Sequence, residues 1–126
     1  MILTYSREKF KEKRLSGSKI HTIREDRHNR WKQGMMAHEW LHNPRNVSKN
    51  PHHFKTDQVQ SIQRIEIIRT CDYLNETIVK IDDRKLKQNE VQELAWNDGF
   101  ENLADFWLFF ADGFDGRILH FTDKRY

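Results

Sequence analysis

The sequence predicts an α+β domain, because β-branched segments typical of strands recur along the chain while the strongest helical periodicity lies in its last third. Its length of 126 residues suits one domain with a real core. The composition is only 37% hydrophobic, yet it includes four Trp, eight Phe and three Tyr. The core is therefore expected to be small and rich in aromatic side chains.

The first part of the chain is predicted to form two short strands around one helix. Residues Met1–Tyr5 suit a strand, and Ser6 is a candidate N-cap for the helix that follows. That helix must end near Gly17, since glycine is favoured just past a helix C-terminus. The β-branched segment Ile20–Ile23 then predicts a second strand.

The middle of the chain is predicted to contain three strands and a long loop. The segment Gly34–His42 suits a strand, whereas Asn43–Asp57, with two prolines and three asparagines, is predicted to be a loop. Apolar residues return in Gln58–Cys71, which predicts one long strand with room for a bulge. A turn at Tyr73–Glu76 and a returning strand, Thr77–Ile81, complete a hairpin.

Two helices and a final strand are predicted at the C-terminal end. Asn89 begins a capping-box pattern, and helical spacing continues from there to Gly99. A second helix is expected from Asn102 to Gly113, followed by a strand over Ile118–Phe121. The second helix carries an apolar stripe that is expected to face the core, formed by Leu103, Phe106, Trp107 and Phe110.

Charge is distributed unevenly along the chain. The net charge is +3, but residues 1–32 carry +6, residues 33–57 carry +1 and residues 58–126 carry −4. A basic N-terminal third indicates an anionic partner such as a nucleotide or RNA, or simply a solvated charged face. The single Cys71 cannot form an internal disulfide, and no apolar run is long enough for a membrane span or signal peptide. These features predict a soluble cytoplasmic protein.

Reactive side chains are concentrated between Gly17 and Arg24. This segment combines a turn residue, the Lys19 amine, the Thr22 hydroxyl and a guanidinium. It suits a site that a ligand approaches closely, although a capping glycine before an ordinary edge strand gives the same pattern. Because neighbouring residues of a strand face opposite ways, Lys19 meets Thr22 only if it lies in the turn before regular pairing begins.

A charged loop, residues 25–33, follows this segment. It contains Trp31 among cationic residues, a combination that suits a stacking platform for bases with clamps for phosphates. The same tryptophan is equally well placed to form a lid over the core. The cationic neighbours are Arg24, Arg27, His28, Arg30 and Lys32.

The segment His38-Glu39-Trp40-Leu41-His42 matches the HExxH pattern of zinc hydrolases, in which two histidines one helical turn apart bind the metal. The pattern requires a helix, because the two Cα atoms lie about 13 Å apart in a strand. Gly34 and Pro44 leave room for barely two helical turns. A strand without a metal is therefore predicted, and a zinc hydrolase is kept as a minor alternative.

The pattern Gly17-x-Lys19-x-x-Thr22-x-Arg24 resembles the signature of the ASCH domain, a small β-barrel related to the PUA fold of RNA-modifying proteins. The order strand, helix, motif and barrel strands is also similar. So is Asn97-Asp98-Gly99-Phe100 before an aromatic helix. The resemblance implies a mixed PUA-like barrel of about five or six strands with about three flanking helices. It spans residues 1–126 as a single domain, with 43–57 as a loop insertion.

Enzymes of this family include acetylcytidine amidohydrolases, whose site pairs the motif lysine and threonine with a glutamate before the late helix. The resemblance therefore implies Lys19, Thr22 and Asp98 as catalytic residues, the aspartate being one methylene shorter than the glutamate. A non-catalytic RNA-binding module is the alternative. The expected ligand is RNA or a nucleoside or nucleotide, without a cofactor, and either a monomer or a weak dimer is compatible. The expected binding residues are Gly17, His21, Arg24, Arg27, Arg30 and Trp31.

Overall fold

A computed structural model describes residues 1–69 and 77–126, which form an α+β structure with eight strands and three α-helices. A single turn of 3-10 helix, Val47–Lys49, lies between the third and fourth strands. In chain order, the elements are β1 (Ile2–Tyr5), α1 (Glu8–Ser16), β2 (His21–Arg24), β3 (Met36–Leu41), β4 (His52–Gln58), β5 (Ser61–Arg69), β6 (Thr77–Ile81), β7 (Arg84–Lys85), α2 (Gln88–Asn97), α3 (Leu103–Phe109) and β8 (Phe114–His120).

The strands form two sheets that share one core. The smaller sheet has the order β1-β3-β4, with β1 parallel to β3, and the larger antiparallel sheet has the order β2-β8-β5-β6-β7. Apolar residues of both sheets, such as Leu3 and Ile118, belong to the same buried cluster. Eight strands exceed the five or six expected, and no pairing among the described strands closes the sheets into a barrel.

The core is rich in aromatic side chains, as the composition predicted. Phe100 packs against four phenylalanine rings at centroid distances of 5.4 to 6.3 Å. On α3, Phe106 is fully buried, and the partly exposed Leu103 and Trp107 pack against the same cluster. The prediction that this helical stripe faces the core is confirmed.

The prediction of one loop over residues 43–57 is wrong in its second half. Residues from His52 onward form β4, which pairs antiparallel with β3 and contains a bulge opposite Glu39 and Trp40. The strand was hidden because it is an edge strand whose side chains are nearly all polar, with Phe54 as its one large apolar residue. Phe54 packs against Tyr5 at a centroid distance of 5.8 Å, which anchors β4 to the core.

The predicted strand over residues 58–71 is divided. Val59 and Gln60 separate β4 from β5, and Val59 exchanges backbone hydrogen bonds with Gly34 and Met35. The last strand is longer than predicted, since it begins at Phe114 and lies between β2 and β5. The predicted buried strand position of Cys71 and the turn over 73–76 lie outside the described residues.

Helix ends were predicted to within about two residues, except that α3 ends at Phe109 rather than near Gly113. Gly17 ends α1 in a left-handed conformation, and the Asn102 side chain accepts a hydrogen bond from Asp105 N at 2.9 Å. The predicted N-cap at Ser6 is wrong, because Arg7 occupies that position without a side-chain cap. In α2 the capping carboxylate is Glu90, which accepts from the Lys87 backbone N–H, so the pattern predicted to begin at Asn89 is displaced.

A buried arginine joins α1 to the smaller sheet and to the turn before β2. Arg14 is 4% exposed, and its guanidinium donates hydrogen bonds to both carboxylate oxygens of Glu39 on β3, at 2.7 and 3.1 Å. It also donates to Asp57 on β4 and to the backbone oxygen of Lys19. The Tyr5 hydroxyl also donates a hydrogen bond to Glu39 Oε1, at 2.8 Å. A helix with only a thin apolar face is thus held in place by polar contacts.

We expect Arg14→Met to destabilise the protein by about 3–5 kcal/mol, because Glu39 would be left as a buried charge without its partner. Urea unfolding followed by circular dichroism measures the change. Arg27→Met, which breaks the exposed contact between Arg27 and Glu25, is the matched control and should leave the unfolding midpoint unchanged. Equal midpoints for the two variants would contradict a structural role for Arg14.

Candidate functional site

A cavity of about 280 Å³ opens between β1, α1, β2 and the connection from α2 to α3. Its lining combines aromatic rings with charged and hydroxyl groups. The aromatic wall consists of Tyr5, Phe10, Phe100, Phe109 and Phe110. The polar wall consists of Lys19, Thr22, Arg24 and Asp98. This combination suits a flat ligand that stacks on the rings and forms hydrogen bonds with the polar groups.

Backbone contacts hold Lys19 in the turn between α1 and β2. Its N–H donates to Lys13 O at 3.0 Å, and its carbonyl accepts from Arg14 at 2.8 Å. The next residue, Ile20, donates to Asn97 O at 2.9 Å, and β2 begins only at His21. Lys19 therefore precedes regular pairing, as the sequence required for its amine to meet Thr22 at one cavity.

The Lys19 amine contacts Asp98 although 79 positions separate them in the sequence. Its Nζ donates to Asp98 Oδ1 at 3.1 Å and to the backbone oxygen of the same residue. Asp98 ends α2, and Gly99 follows it with a φ of 97°. A Cβ at Gly99 would lie 3.0 Å from a Phe10 ring carbon and 3.1 Å from Lys19 Cδ. A glycine thus leaves the room that the lysine side chain occupies.

Burial and neighbouring charges lower the pKa values of both Lys19 and Asp98. Burial, helped by the Arg24 and Arg14 charges, lowers the pKa of Lys19 to about 8, while Asp98 opposes the shift. Burial acts to raise the pKa of Asp98, but Lys19 and the hydrogen bond from His21 outweigh it, so that pKa is lowered. At pH 7 the pair is mainly ionic, and roughly one lysine in ten is a free amine.

His21 supports Asp98 from the side away from the cavity. It is fully buried, and its Nδ1 lies 3.1 Å from Asp98 Oδ1. Its Nε2 lies 2.7 Å from the Tyr126 hydroxyl, whose oxygen also accepts from Asn97. This network assigns the proton of a neutral His21 to Nδ1, in keeping with burial lowering the pKa of the ring. His21 was predicted to bind the ligand; in the structure it contacts Asp98 and does not line the cavity.

The second oxygen of Asp98 is available to a ligand. Oδ1 accepts hydrogen bonds from both Lys19 and His21, whereas Oδ2 accepts none from residues 1–69 or 77–126. Since Asp98 lines the cavity, a ligand N–H or a water molecule has an acceptor there. The aspartate can therefore hold the amine with one oxygen and a ligand with the other.

Thr22 and Arg24 complete the polar wall. The Arg24 Nε donates to Thr22 Oγ1 at 3.3 Å, which leaves the Thr22 hydroxyl hydrogen free to donate to a ligand. The Arg24 guanidinium lies over the Tyr5 ring at 4.8 Å and has no carboxylate partner within the part of the chain that the structure describes. It is available to an anionic group.

Comparison of the chain with protein-family models, curated proteins and solved structures found no match. The chemistry of the cavity is therefore the basis for assigning a function. Among the described helices, none has the length and apolar character needed to cross a membrane.

The predicted single basic cleft is not formed. Trp31 is only 8% exposed and belongs to the core, so of its two predicted roles the lid is the one observed. Arg27 and Arg30 line a separate open depression with Glu25, Asp26 and His28. Gly17 caps α1 in an exposed turn. Of the predicted site residues, the cavity gathers Lys19, Thr22, Arg24 and Asp98.

Sequence reasoning missed the residues that act from a distance. Arg14 holds the backbone of Lys19, and Tyr126 holds His21. Neither has a motif spacing that connects it to the site. Within the aromatic wall, only Phe110 carried a signal, as a member of the apolar stripe of the late helix, and this stripe indicated a core rather than a cavity.

The HExxH pattern begins on β3, which ends at Leu41 just before His42, so the helix that a zinc site needs is absent and the zinc alternative is wrong. His38 is exposed, whereas Glu39 faces the interior and binds Arg14 and Tyr5. Within residues 1–69 and 77–126, no group of three or more potential ligands is arranged to hold a metal ion. The glutamate of the pattern is a structural partner of Arg14.

We expect Asp98→Asn to lower the pKa of Lys19 below 8 and Arg24→Gln to raise it, because the carboxylate favours the ammonium and the guanidinium disfavours it. Titration of the lysine side-chain carbons by NMR measures both changes. Arg30→Gln removes an exposed arginine outside the cavity and should leave the Lys19 titration unchanged. The same direction of shift in the first two variants would contradict this electrostatic assignment.

We also expect wild-type protein to gain stability relative to Lys19→Met between pH 8 and pH 10.5. In this range the unfolded lysine is protonated while the folded one, with a pKa of about 8, is not, so the unfolded state binds more protons. The gain should total about 3 kcal/mol. Urea unfolding at several pH values measures it, and parallel curves for both proteins would show that Lys19 titrates normally.

Proposed function

We propose that the protein hydrolyses the acyl amide on an exocyclic nitrogen of a modified pyrimidine nucleoside such as acetylcytidine, as a member of the ASCH family. The contact between the Lys19 amine and Asp98, beside Thr22 in one cavity, carries this proposal. It includes a PUA-like barrel, which is supported by two sheets around one core and by the order of strand, helix and motif. A reducing, cytoplasmic location is part of the same proposal and is supported by a single cysteine.

The cavity suits one acylated base. Its volume of about 280 Å³ is close to the lower limit of roughly 300 Å³ for small-molecule pockets, so it favours a compact ligand. Phe10, Phe100 and Phe109 offer ring surface for a pyrimidine. Arg24 at the polar wall supplies positive charge for a phosphate or a carbonyl oxygen.

Hydrolysis needs a base, a stabilised oxyanion and a proton for the leaving amine. The free-amine form of Lys19 takes a proton from water, and the hydroxide adds to the acyl carbon. The Thr22 hydroxyl donates to the oxyanion, helped by the Arg24 charge. The C–N bond then breaks, the Lys19 ammonium returns its proton to the leaving nitrogen, and a carboxylic acid and the free nucleoside amine result.

Asp98 keeps the amine in place and binds the substrate in this scheme. Its backbone oxygen and Oδ1 both accept from Lys19, so the shorter side chain still reaches the amine. Its Oδ2 accepts the N–H of the amide that is cleaved. The Asp98 carboxylate therefore stays ionised throughout, in keeping with its lowered pKa.

A second candidate is a binding module for RNA or a nucleotide without chemistry. The pKa of about 8 favours it, because most Lys19 side chains are ammonium ions paired with Asp98 at neutral pH. Such a pair stabilises a ligand by hydrogen bonds alone. The two candidates share the cavity and differ in whether the acyl group is released.

We expect wild-type protein to convert N4-acetylcytidine to cytidine and acetate, and Lys19→Ala to lose at least 99% of that turnover because the base is removed. Chromatography of the reaction mixture measures both products. Lys32→Ala, an exposed lysine outside the cavity, is the matched control and should retain full turnover. Circular dichroism melting verifies that each variant is folded.

Full turnover in Lys19→Ala would remove Lys19 from the mechanism. A wild-type protein that binds the nucleoside by calorimetry but releases no acetate would instead support the binding module.

A further inference from the structure

Three ring side chains, two exposed histidines and a half-buried tryptophan, lie together on the outer face of the smaller sheet. We call this group the ring patch, and it consists of His38 and Trp40 on β3 and His53 on β4. The His38 and His53 ring centroids are 6.1 Å apart, and those of Trp40 and His53 are 5.7 Å apart. Trp40 and His53 are register partners, so their side chains lie on the same face.

The Thr56 hydroxyl holds the two histidines in position. It lies 3.3 Å from His38 Nδ1 and 2.8 Å from His53 Nε2. Thr56 is the register partner of His38, so the hydroxyl stands between the two imidazole rings on the outer face. The patch is therefore a fixed set of rings with polar edges. A purely apolar surface would instead indicate an interface with another protein.

No carboxylate of these two strands faces the patch. The acidic residues of β3 and β4 are Glu39 and Asp57, and both bind Arg14 on the opposite side of the sheet. The segment that joins the two strands carries Arg45 and Lys49, both exposed, and no acidic residue. The ring patch therefore lies in a surrounding that tolerates and attracts a polyanion.

The same face leads to the cavity. On β1, Thr4 is the register partner of Trp40, and Thr4 also lines the cavity that contains Lys19. A strand width of about 4.8 Å separates neighbouring chains in a sheet, so Trp40 stands one strand away from the cavity wall. Bases stacked on the patch are thus within a few nucleotides of a base that enters the cavity.

We propose that the ring patch binds the bases of single-stranded RNA, of which one nucleotide enters the Lys19 cavity. This inference rests on the proposed function and extends its substrate from the free nucleoside to the same acylated base within a strand. Flat rings stack on any base, and Arg45 and Lys49 contact phosphates, so binding depends on single-strandedness more than on sequence. A second protein docked on this face is the competing occupant.

The test is fluorescence anisotropy with a labelled single-stranded 12-nucleotide uridine-rich RNA. We expect Trp40→Ala to weaken binding at least tenfold, because one stacked base is lost, and Trp40→Phe to restore most of the affinity. Trp96→Ala is the matched control, since Trp96 is 53% exposed on α2 and lies outside the patch. It should bind like wild type. Quenching of Trp40 fluorescence by RNA should disappear in Trp40→Ala.

Absence of RNA binding by the wild-type protein overturns the inference, and so does an equal loss of affinity in Trp40→Ala and Trp96→Ala. Self-association of the wild type that Trp40→Ala abolishes, without RNA binding, would assign the face to a protein partner instead. Turnover of free acetylcytidine is scored separately. Turnover without RNA binding removes only this inference, whereas RNA binding through Trp40 without turnover removes only the hydrolase.

Discussion

The position of the candidate site depends on the buried contact between Arg14 and Glu39. One guanidinium binds a carboxylate on β3, a second carboxylate on β4 and the backbone oxygen of Lys19. It therefore fixes the distance from α1 to the smaller sheet and the direction in which the turn leaves the helix. A buried ion pair is a costly way to join elements, but its directional hydrogen bonds define one geometry where apolar packing tolerates several.

The cavity combines two opposing effects on one amine. Aromatic rings exclude water and favour the neutral form of Lys19, while Asp98 favours the ammonium. Burial is the larger effect, so the balance leaves a lysine that both binds its carboxylate and exchanges a proton near neutral pH. Gly99 contributes to this balance, because its φ of 97° favours glycine and a Cβ there would crowd the side chains of Phe10 and Lys19. The side chains that pack around Lys19 therefore also determine its protonation.

The sequence predicted the local features well and the distant contacts poorly. The end of α1 at Gly17, the strand β3 and the position of Lys19 in a turn all follow from short-range rules of capping and alternation. Tyr126 and Arg14 were not identified, because their partners lie far away in the sequence. The polar edge strand β4 escaped notice for a related reason. It is held in the sheet by backbone pairing with β3, and its own polar residues give no strand pattern.

The sequence separation of Lys19 and Asp98 has a consequence for the newly made chain. The two residues meet only when the end of α2, where Asp98 lies, packs against the turn that contains Lys19. Contacts of such long range carry a large loop-closure entropy and are slow to form. Until then, the lysine is solvated and has its ordinary pKa, so almost every amine carries a proton at neutral pH. Folding itself thus activates the amine, and an incompletely synthesised chain is chemically inert at this position.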